Sequence, residues 1–418
     1  MSMPLRSLPV IQRWDCHSCC HCCREYNVAV TAEERQRISA YDWKDDTELA
    51  GEKMFVRSGW LSSRYHLQHK KDGGCVFLDA DNKCKIHSRF GASAKPLACR
   101  LFPFVLTPTG SDWRLGLRFA CPSVTADDGK ALTGHSKELS KLVKDLSKQE
   151  DIKKGDIPAP FLQHKQRMDW PDLLRLVGTL RTIMEDDSSP VERRLRKWLA
   201  LDALCREAKF DKVQGERLEE LLEMLVALVD EDIPQTPSDL PAPDWVGRSL
   251  FRQQAAVYSR KDRGSMRGDV SRSILKRFMS GWRFGRGTGK VPKVNRFIRD
   301  VEFAEIEAHQ GTPSAEIEKL FQRYFLVKLN SLQFFGPSHF RLPFWDGLET
   351  LVLMYPLILW LARAMEAENR EQAVSLAMTI VDDHFAYNPF LKTSRIRTSV
   401  SILASRGELA KLIAWYSR

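Results

Sequence analysis

The stretch CHSCCHCC at residues 16–23 places five cysteines within eight positions, and it decides how the N-terminal part of the chain must fold. Cys16, Cys19 and Cys22 are separated by two residues each, a spacing that lets one loop turn several thiolates towards a common centre. The chain has ten cysteines in all, and the remaining ones stand alone at Cys75, Cys84, Cys99, Cys121 and Cys205. Because nine of the ten lie before residue 122, we expect them to share one role, and we expect Cys205 to be a core residue.

The cellular compartment follows from the apolar segments of the chain. Residues 1–14 contain no apolar run long enough for a secretory signal, and residues 351–362, the longest apolar run near the C-terminus, are too short to cross a bilayer. We therefore expect a cytoplasmic protein with no membrane partner. In a reducing compartment a dense group of thiols favours metal binding over disulfide formation.

Composition and periodicity predict the fold class. The chain has 418 residues, of which 43% are hydrophobic and 28% charged, and this composition excludes disordered, collagen-like and low-complexity proteins. We predict a mainly α protein, in which a small irregular α+β cysteine-rich domain is followed by an all-helical body. The predicted divisions are a metal-binding domain at 1–125, a helical region at 126–230, a proline-rich linker at 231–245 and a helical region at 246–418.

Local signals place the helices. Thr31-Ala-Glu-Glu34 has the pattern of a capping box that opens a short helix to about Ala40. Short strands or extended loops are predicted around residues 75–78 and 113–119. Apolar residues at helical spacing predict further helices, which begin near Pro171, span 218–229, begin with Thr312-Pro313 as the cap, span 347–368 with a kink at Pro356, and span 370–384.

The cysteine spacing is typical of two kinds of metal site. Three cysteines at intervals of two residues match the opening of a bacterial ferredoxin pattern, and Cys121-Pro122 resembles its ending. These features favour an iron-sulfur cluster, of the 4Fe-4S type, over zinc. Zinc stays open, because eight thiolates would fill two tetrahedral sites and because three histidines lie beside or near cysteines, namely His17, His21 and His87.

The cysteines and the residues around them resemble the CxxCxxCC or YkgJ-type cysteine-cluster family, described as carrying a zinc- or iron-chelating domain. The resemblance covers about the first 125 residues, and it includes Lys95-Pro-Leu-Ala-Cys99-Arg-Leu-Phe-Pro-Phe104. Residues 90–94 lengthen one link of the family pattern, and Cys20 is additional to it. The resemblance implies that the metal ligands are the eight matching cysteines: Cys16, Cys19, Cys22, Cys23, Cys75, Cys84, Cys99 and Cys121.

Two arginines stand directly beside predicted ligands. Arg24 follows Cys23 and Arg100 follows Cys99. A positive charge next to an anionic group of thiolates stabilises the deprotonated ligands, so we expect Arg100 to play this part, while for Arg24 an ordinary surface position is an equal alternative.

A weaker resemblance, to flagellin lysine-N-methylase, rests on similar length and on an N-terminal cysteine cluster ahead of a long C-terminal part. It implies a protein-lysine N-methyltransferase that uses S-adenosylmethionine and acts on a protein substrate. That chemistry needs a carboxylate or tyrosine to accept the proton of the lysine amine, and the sequence does not identify which residue this is.

The basic charge is local. Residues 260–299 hold 13 Lys and Arg against two acids, Asp262 and Asp269, and so account for the net charge of +10. Arginines mixed with Trp282, Phe284 and Phe297 are able to bind nucleic acid or an acidic protein. We favour a flexible, solvated basic loop instead. The alternative to the enzyme is thus a non-catalytic, metal-stabilised module that binds a partner through this segment.

Overall fold

The computed structural model describes residues 3–6, 12–49, 51–59, 64–149, 157–208, 210, 213–262, 264–268 and 273–418. All structural statements below concern these residues. The predicted fold class is confirmed: the chain is mainly helical, and its few strands are short and lie mostly in the N-terminal part.

The N-terminal part, here called the cysteine unit (residues 12–131), consists of short elements joined by turns. Its longest helix, α2 (Ala32–Ser39), begins with the predicted capping box. The Glu34 backbone N–H donates to the Thr31 hydroxyl at 3.2 Å, and the Thr31 N–H donates to the Glu34 carboxylate at 3.0 Å. From the N-terminus to the end of the cysteine unit, the helices and strands in chain order are β1 (Leu5–Arg6), β2 (Arg13–Trp14), α1 (His21–Glu25), β3 (Ala29–Val30), α2 (Ala32–Ser39), β4 (Phe55–Arg57), β5 (Tyr65–Leu67), α3 (Lys85–Phe90), α4 (Leu97–Leu101), β6 (Phe104–Pro108), β7 (Trp113–Leu117), α5 (Pro122–Thr125) and β8 (Lys130–Ala131).

The strands form three small sheets in this part. β3, β5 and β4 form an antiparallel sheet in that order, β6 pairs with β7 in antiparallel fashion, and β1 runs parallel to β7. β2 pairs with β8, which closes the unit by joining its two ends. Of the two stretches predicted to be short strands or extended loops, residues 113–117 form β7, and residues 75–78 form turns and single bridges.

The C-terminal body is helical apart from one small hairpin, β9 (Phe161–Gln163) with β10 (Gln166–Arg167). Its helices are α6 (Ser136–Gln149), α7 (Trp170–Glu185), α8 (Val191–Glu207), α9 (Glu216–Asp232), α10 (Trp245–Tyr258), α11 (Ile274–Arg286), α12 (Phe303–Ile306), α13 (Ala315–Asn330), α14 (Phe344–Ala364), α15 (Arg370–His384), α16 (Ser394–Ser405) and α17 (Glu408–Tyr416). Short 3-10 helices lie at Ala92–Ala94, Leu132–His135, Pro237–Asp239 and Pro389–Lys392.

The predicted helices of the body are present with shifted ends. α13 begins two residues later than its Thr312-Pro313 signal because the hydroxyl of Ser314 accepts from the Ile317 N–H at 3.4 Å, so Ser314 is the cap. α14 begins at Phe344, directly after Pro343, and continues through Pro356. The divisions predicted at residues 125, 230 and 245 stay predictions.

α14 is the central helix of the body. Among the described residues it is the one helix long and apolar enough to cross a membrane by length and composition, and the whole of its most apolar 18-residue window is buried inside the protein. Its neighbours in the body are α15, α17, α16 and α10. Burial on all sides explains why its sequence is apolar around the full circumference.

Buried polar contacts join the cysteine unit to the body. The Lys328 amine of α13 lies 2.6 Å from the Asp382 carboxylate of α15, and both side chains are almost completely buried. Asp382 also accepts from the backbone N–H of Ala120 at 3.0 Å, and Arg118 donates to Asp383 at 2.8 Å. The backbone immediately before Cys121 is therefore held by charged groups of the body.

Candidate metal centre

The first cysteines lie on a tight loop and the single-turn helix that follows it. Ser18 and Cys20 both have left-handed backbone conformations, with φ of 53° and 49°, and Cys20 is the N-cap of α1. Cys22 and Cys23 lie within α1, where their Sγ atoms are 4.0 Å apart. The loop thus turns the chain back on itself within the CHSCCHCC stretch.

Backbone contacts bring one later cysteine to this helix and join a second to the segment that follows it. The N–H of Cys75 donates to the carbonyl of Cys23 at 2.8 Å, directly after a turn in which the Gly74 N–H donates to the Asp72 carboxylate at 2.9 Å. Cys84 is bridged to Leu78 and is the N-cap of α3.

A small hydrophobic core holds these positions together. Its buried members include Val76, Phe77, Leu78 and Ile86, and several cysteines pack with them: Cys20, Cys23, Cys75, Cys84 and Cys99. Four separate chain segments therefore meet at one place, and each contributes at least one thiol.

The electrostatics show that five of the predicted ligands lie within range of one another's charge. This set, here called the inner group, comprises Cys22, Cys23, Cys75, Cys84 and Cys99. Burial, with smaller contributions from the neighbouring thiolates of Cys23 and Cys84, raises the pKa of Cys75 to about 12. Burial likewise raises the pKa of Cys99, with added contributions from Cys75, Cys23 and Cys84. Without a positive partner these thiols would resist deprotonation.

Cys23 differs from the rest of the inner group. Its pKa is lowered chiefly by the contact with the Cys22 sulfur, and the charges of Lys95 and Arg24 lower it as well. The same contact raises the pKa of Cys22. One member of this adjacent pair is thus favoured as a thiolate, the form that binds metal.

Lys95 supplies the positive charge that sequence reasoning missed. Burial by itself would lower the pKa of this half-buried amine, yet the pKa is raised, because the thiolates of Cys99, Cys84, Cys22 and Cys16 surround it. The lysine lies four residues before Cys99 in the KPLAC stretch, and this was the available signal.

The two arginines chosen from sequence have different environments. The guanidinium of Arg24 bonds to Cys20, and this contact raises its pKa. Arg100 instead donates to Asp145 of α6 at 2.9 Å. Arg24 thus contacts the thiol-rich region directly, while Arg100 pairs with a carboxylate of the neighbouring helix.

The other predicted ligands form a second set, here called the outer group: Cys16, Cys19 and Cys121. Burial raises the pKa of Cys19 and of Cys121. The charge of Cys16 also raises the pKa of Cys19, and the charge of Cys19 also raises the pKa of Cys121. The charge of Cys16 also raises the pKa of Cys22, so Cys16 interacts with members of both groups.

The candidate histidines occupy three different settings. His17 Nδ1 lies 3.1 Å from the Ser123 hydroxyl, and His87 is exposed. His21 is half-buried, its Nε2 is buried without a hydrogen-bond partner, and burial lowers the pKa of the ring. Cys205 is fully buried in α8, which confirms it as a core residue.

The donor set suits zinc or iron, both of which thiolates bind strongly. Within the described part of the chain, however, no three His, Cys, Asp or Glu side chains are arranged so that they could hold a metal ion together. The structure brings the predicted ligands into one region without bringing their sulfur atoms to coordination geometry. Which of the eight cysteines bind metal, and which share a centre, stays a prediction.

Comparison with known proteins finds a family match over the region that contains the predicted metal ligands. Residues 15–128 match the CxxCxxCC family, described as a "putative zinc- or iron-chelating domain". No curated protein and no solved structure matches the chain. The match covers the inner and outer groups and Lys95, and it ends before the first long helix of the body.

Proposed function

We propose that the CxxCxxCC domain at residues 15–128 holds thiolate-bound metal, for which the eight cysteines supply the ligands of one or more centres. The observation that carries this proposal is the convergence of the inner group, which comes from four chain segments, around the amine of Lys95. A cation placed among several buried thiols favours their deprotonated form. A bound metal ion would supply the remaining positive charge, since it binds the thiolate and not the thiol.

We propose further that the metal is iron, in an iron-sulfur cluster. The support is the two-residue spacing of Cys16, Cys19 and Cys22 together with Cys121-Pro122, both features of ferredoxin-type ligation. Zinc is the competing metal, and it uses the same residues.

Anaerobic purification followed by metal analysis and an absorption spectrum separates the two metals. Iron with sulfide and a broad visible band supports the cluster, whereas a colourless protein with zinc supports the zinc site. Cys84→Ser and Cys99→Ser should lower the metal content, while the matched control Cys205→Ser, a cysteine far from the domain in sequence, should leave it unchanged. Equal metal content in all three variants would contradict the proposed ligands.

The second candidate function is transfer of a methyl group from S-adenosylmethionine to lysine, as the weaker resemblance implies. Its support in the structure is the polar contact between the cysteine unit and the body, where the guanidinium of Arg118 lies 3.7 Å from the ring centroid of Tyr387 and 5.2 Å from that of Tyr26. Asp383 pairs with the same arginine. A carboxylate such as that of Asp383 can accept the proton of a lysine amine. Burial raises the pKa of Tyr26 and of Tyr387, which disfavours the phenolate form that proton acceptance by a tyrosine needs.

Calorimetric titration with S-adenosylmethionine tests the methyl-transfer candidate. Binding to the metal-loaded protein supports it. A titration without heat, with the metal intact, removes the enzyme and leaves the non-catalytic metal-stabilised module.

A further inference from the structure

The basic segment contains a helix with an apolar face that is turned to solvent. The expected flexible loop is corrected here, because residues 274–286 form α11. Four of its side chains form what we call the apolar stripe: Leu275 is 67% exposed, Phe278 70%, Met279 48% and Trp282 54%. Their spacing of three, four and seven residues places them on one side of the helix.

The opposite side of α11 fixes the helix to the body. Phe284 is fully buried, and its ring centroid lies 5.6 Å from that of Phe303 and 6.0 Å from that of Trp360. The helix ends at Gly287, whose left-handed conformation with φ of 67° provides the C-cap. Because Phe284 holds the inner side, the apolar stripe cannot turn into the core, and it is a property of the surface.

The surroundings of the stripe are strongly basic. No Asp or Glu occurs between residues 270 and 299, and α11 itself carries Lys276, Arg277, Arg283 and Arg286. The guanidinium of Arg286 lies 4.7 Å from the ring centroid of Trp282, so cation and apolar stripe are in contact. A cavity of about 350 Å³ adjoins them, lined by Trp282, Arg283, Arg286, Thr288, Gly289 and Lys290.

We propose that α11 lies in the surface of an anionic phospholipid membrane, with the apolar stripe inserted among the acyl chains and the basic residues at the phosphates. A helix with Trp, Phe and Leu on one face and Lys and Arg on the other has the chemistry of an interfacial membrane helix. Charge complementarity selects anionic lipids, and the basic cavity beside Trp282 suits a lipid phosphate.

The aliphatic members of the stripe favour lipid over nucleic acid. Single-stranded nucleic acid binds through aromatic side chains on which bases stack, and Leu275 and Met279 offer no such surface. In a bilayer they contribute in proportion to their apolar area, as Phe278 and Trp282 do. A helix that lies on the membrane needs no spanning segment, so the short apolar runs of the sequence do not bear on it.

Co-sedimentation of the full chain with vesicles tests this proposal. Vesicles of phosphatidylcholine alone are compared with vesicles that also contain phosphatidylglycerol, and binding is expected only to the second. Phe278→Gln with Trp282→Gln should lower the partition coefficient about tenfold or more through lost apolar burial. Arg283→Glu with Arg286→Glu should lower it similarly, and high salt should weaken binding of the unaltered protein.

The matched control is a second exposed apolar pair on another helix. On α9, Met224 is 70% exposed and Leu228 is 53% exposed, and the sequence of this helix contains several acidic residues. Met224→Gln with Leu228→Gln should leave vesicle binding unchanged, and circular dichroism should show that every variant keeps the helical content of the unaltered protein. Equal binding to both vesicle types, or equal binding by the Phe278 and Trp282 variant, would overturn the proposal. Retention of a single-stranded oligonucleotide without vesicle binding would overturn it in favour of nucleic acid.

Discussion

Replacement of Asp382 by asparagine should destabilise the protein more than any change at a surface ion pair. In the native state the Lys328 amine lies 2.6 Å from the Asp382 carboxylate, and the side chains are 1% and 0% exposed. Asparagine removes the negative charge and keeps only one acceptor oxygen, whereas the Ala120 N–H donates to one oxygen of Asp382 and the Tyr324 hydroxyl donates to the other. Removing one partner from a buried pair costs about 3–5 kcal/mol, because the other charge stays buried without compensation.

The expected loss is at the lower end of this range, about 3 kcal/mol. Lys328 retains a neutral acceptor, the Gln333 side-chain oxygen at 2.9 Å, and burial already lowers the pKa of its amine, so the lysine can respond by losing its proton. The assay is equilibrium unfolding in urea with the slope compared between variants. Asp300→Asn, which breaks the exposed contact with Lys290, should give no measurable change.

A double-mutant cycle shows whether the cost comes from the pair. Lys328→Met combined with Asp382→Asn removes both charges, so the double variant should be more stable than Asp382→Asn alone, with a coupling energy of about 2 kcal/mol or more. A loss below about 1 kcal/mol for Asp382→Asn, or two single effects that simply add, would refute the reasoning.

Three further predictions concern other charged and capping groups. Burial raises the pKa of both Glu349 and Asp202, which face Arg206 together, so the folded state keeps a proton that the unfolded state releases above pH about 4. Their contribution to stability is thus present at low pH and is lost as the pH rises. Glu349→Gln should make the urea midpoint depend less on pH between about 5 and 8. An unchanged pH dependence of the midpoint would show that this pair does not hold the proton. Lys95→Gln should lower the metal retained after a chelator wash, whereas the exposed control Lys83→Gln should not, and equal retention would remove the role of Lys95. Thr31→Ala should cost about 1 kcal/mol in urea unfolding by removing the α2 cap, and a cost near zero would show that the capping box is not formed.

Sequence predicted the elements whose signals are local. The capping box at Thr31 and Glu34 and the apolar faces of α7 and α9 were confirmed because each depends on residues within a few turns of one helix. α11 was missed because its charge composition indicated a loop. Its apolar stripe has helical spacing, and only the structure shows that Phe284 fixes the opposite side to the core.

The site was predicted in residue type but not in arrangement. The spacing of the cysteines and their family pattern identified the region that the structure then brings together. The role of Lys95 was not foreseen, since its environment includes thiols from two other parts of the chain, the loop with Cys16 and Cys22 and the turn with Cys84. The partner of Arg100 was likewise set by a distant residue, Asp145, which no local pattern contains.

X-ray absorption at the metal edge of the anaerobically purified protein tests the central claim most directly. The account predicts that the bound metal has a first coordination shell of sulfur at about 2.3 Å. The sulfur signal should be weakened or lost in Cys99→Ser and unchanged in Cys205→Ser. A protein that holds no metal, or a metal surrounded by nitrogen and oxygen alone, would contradict it.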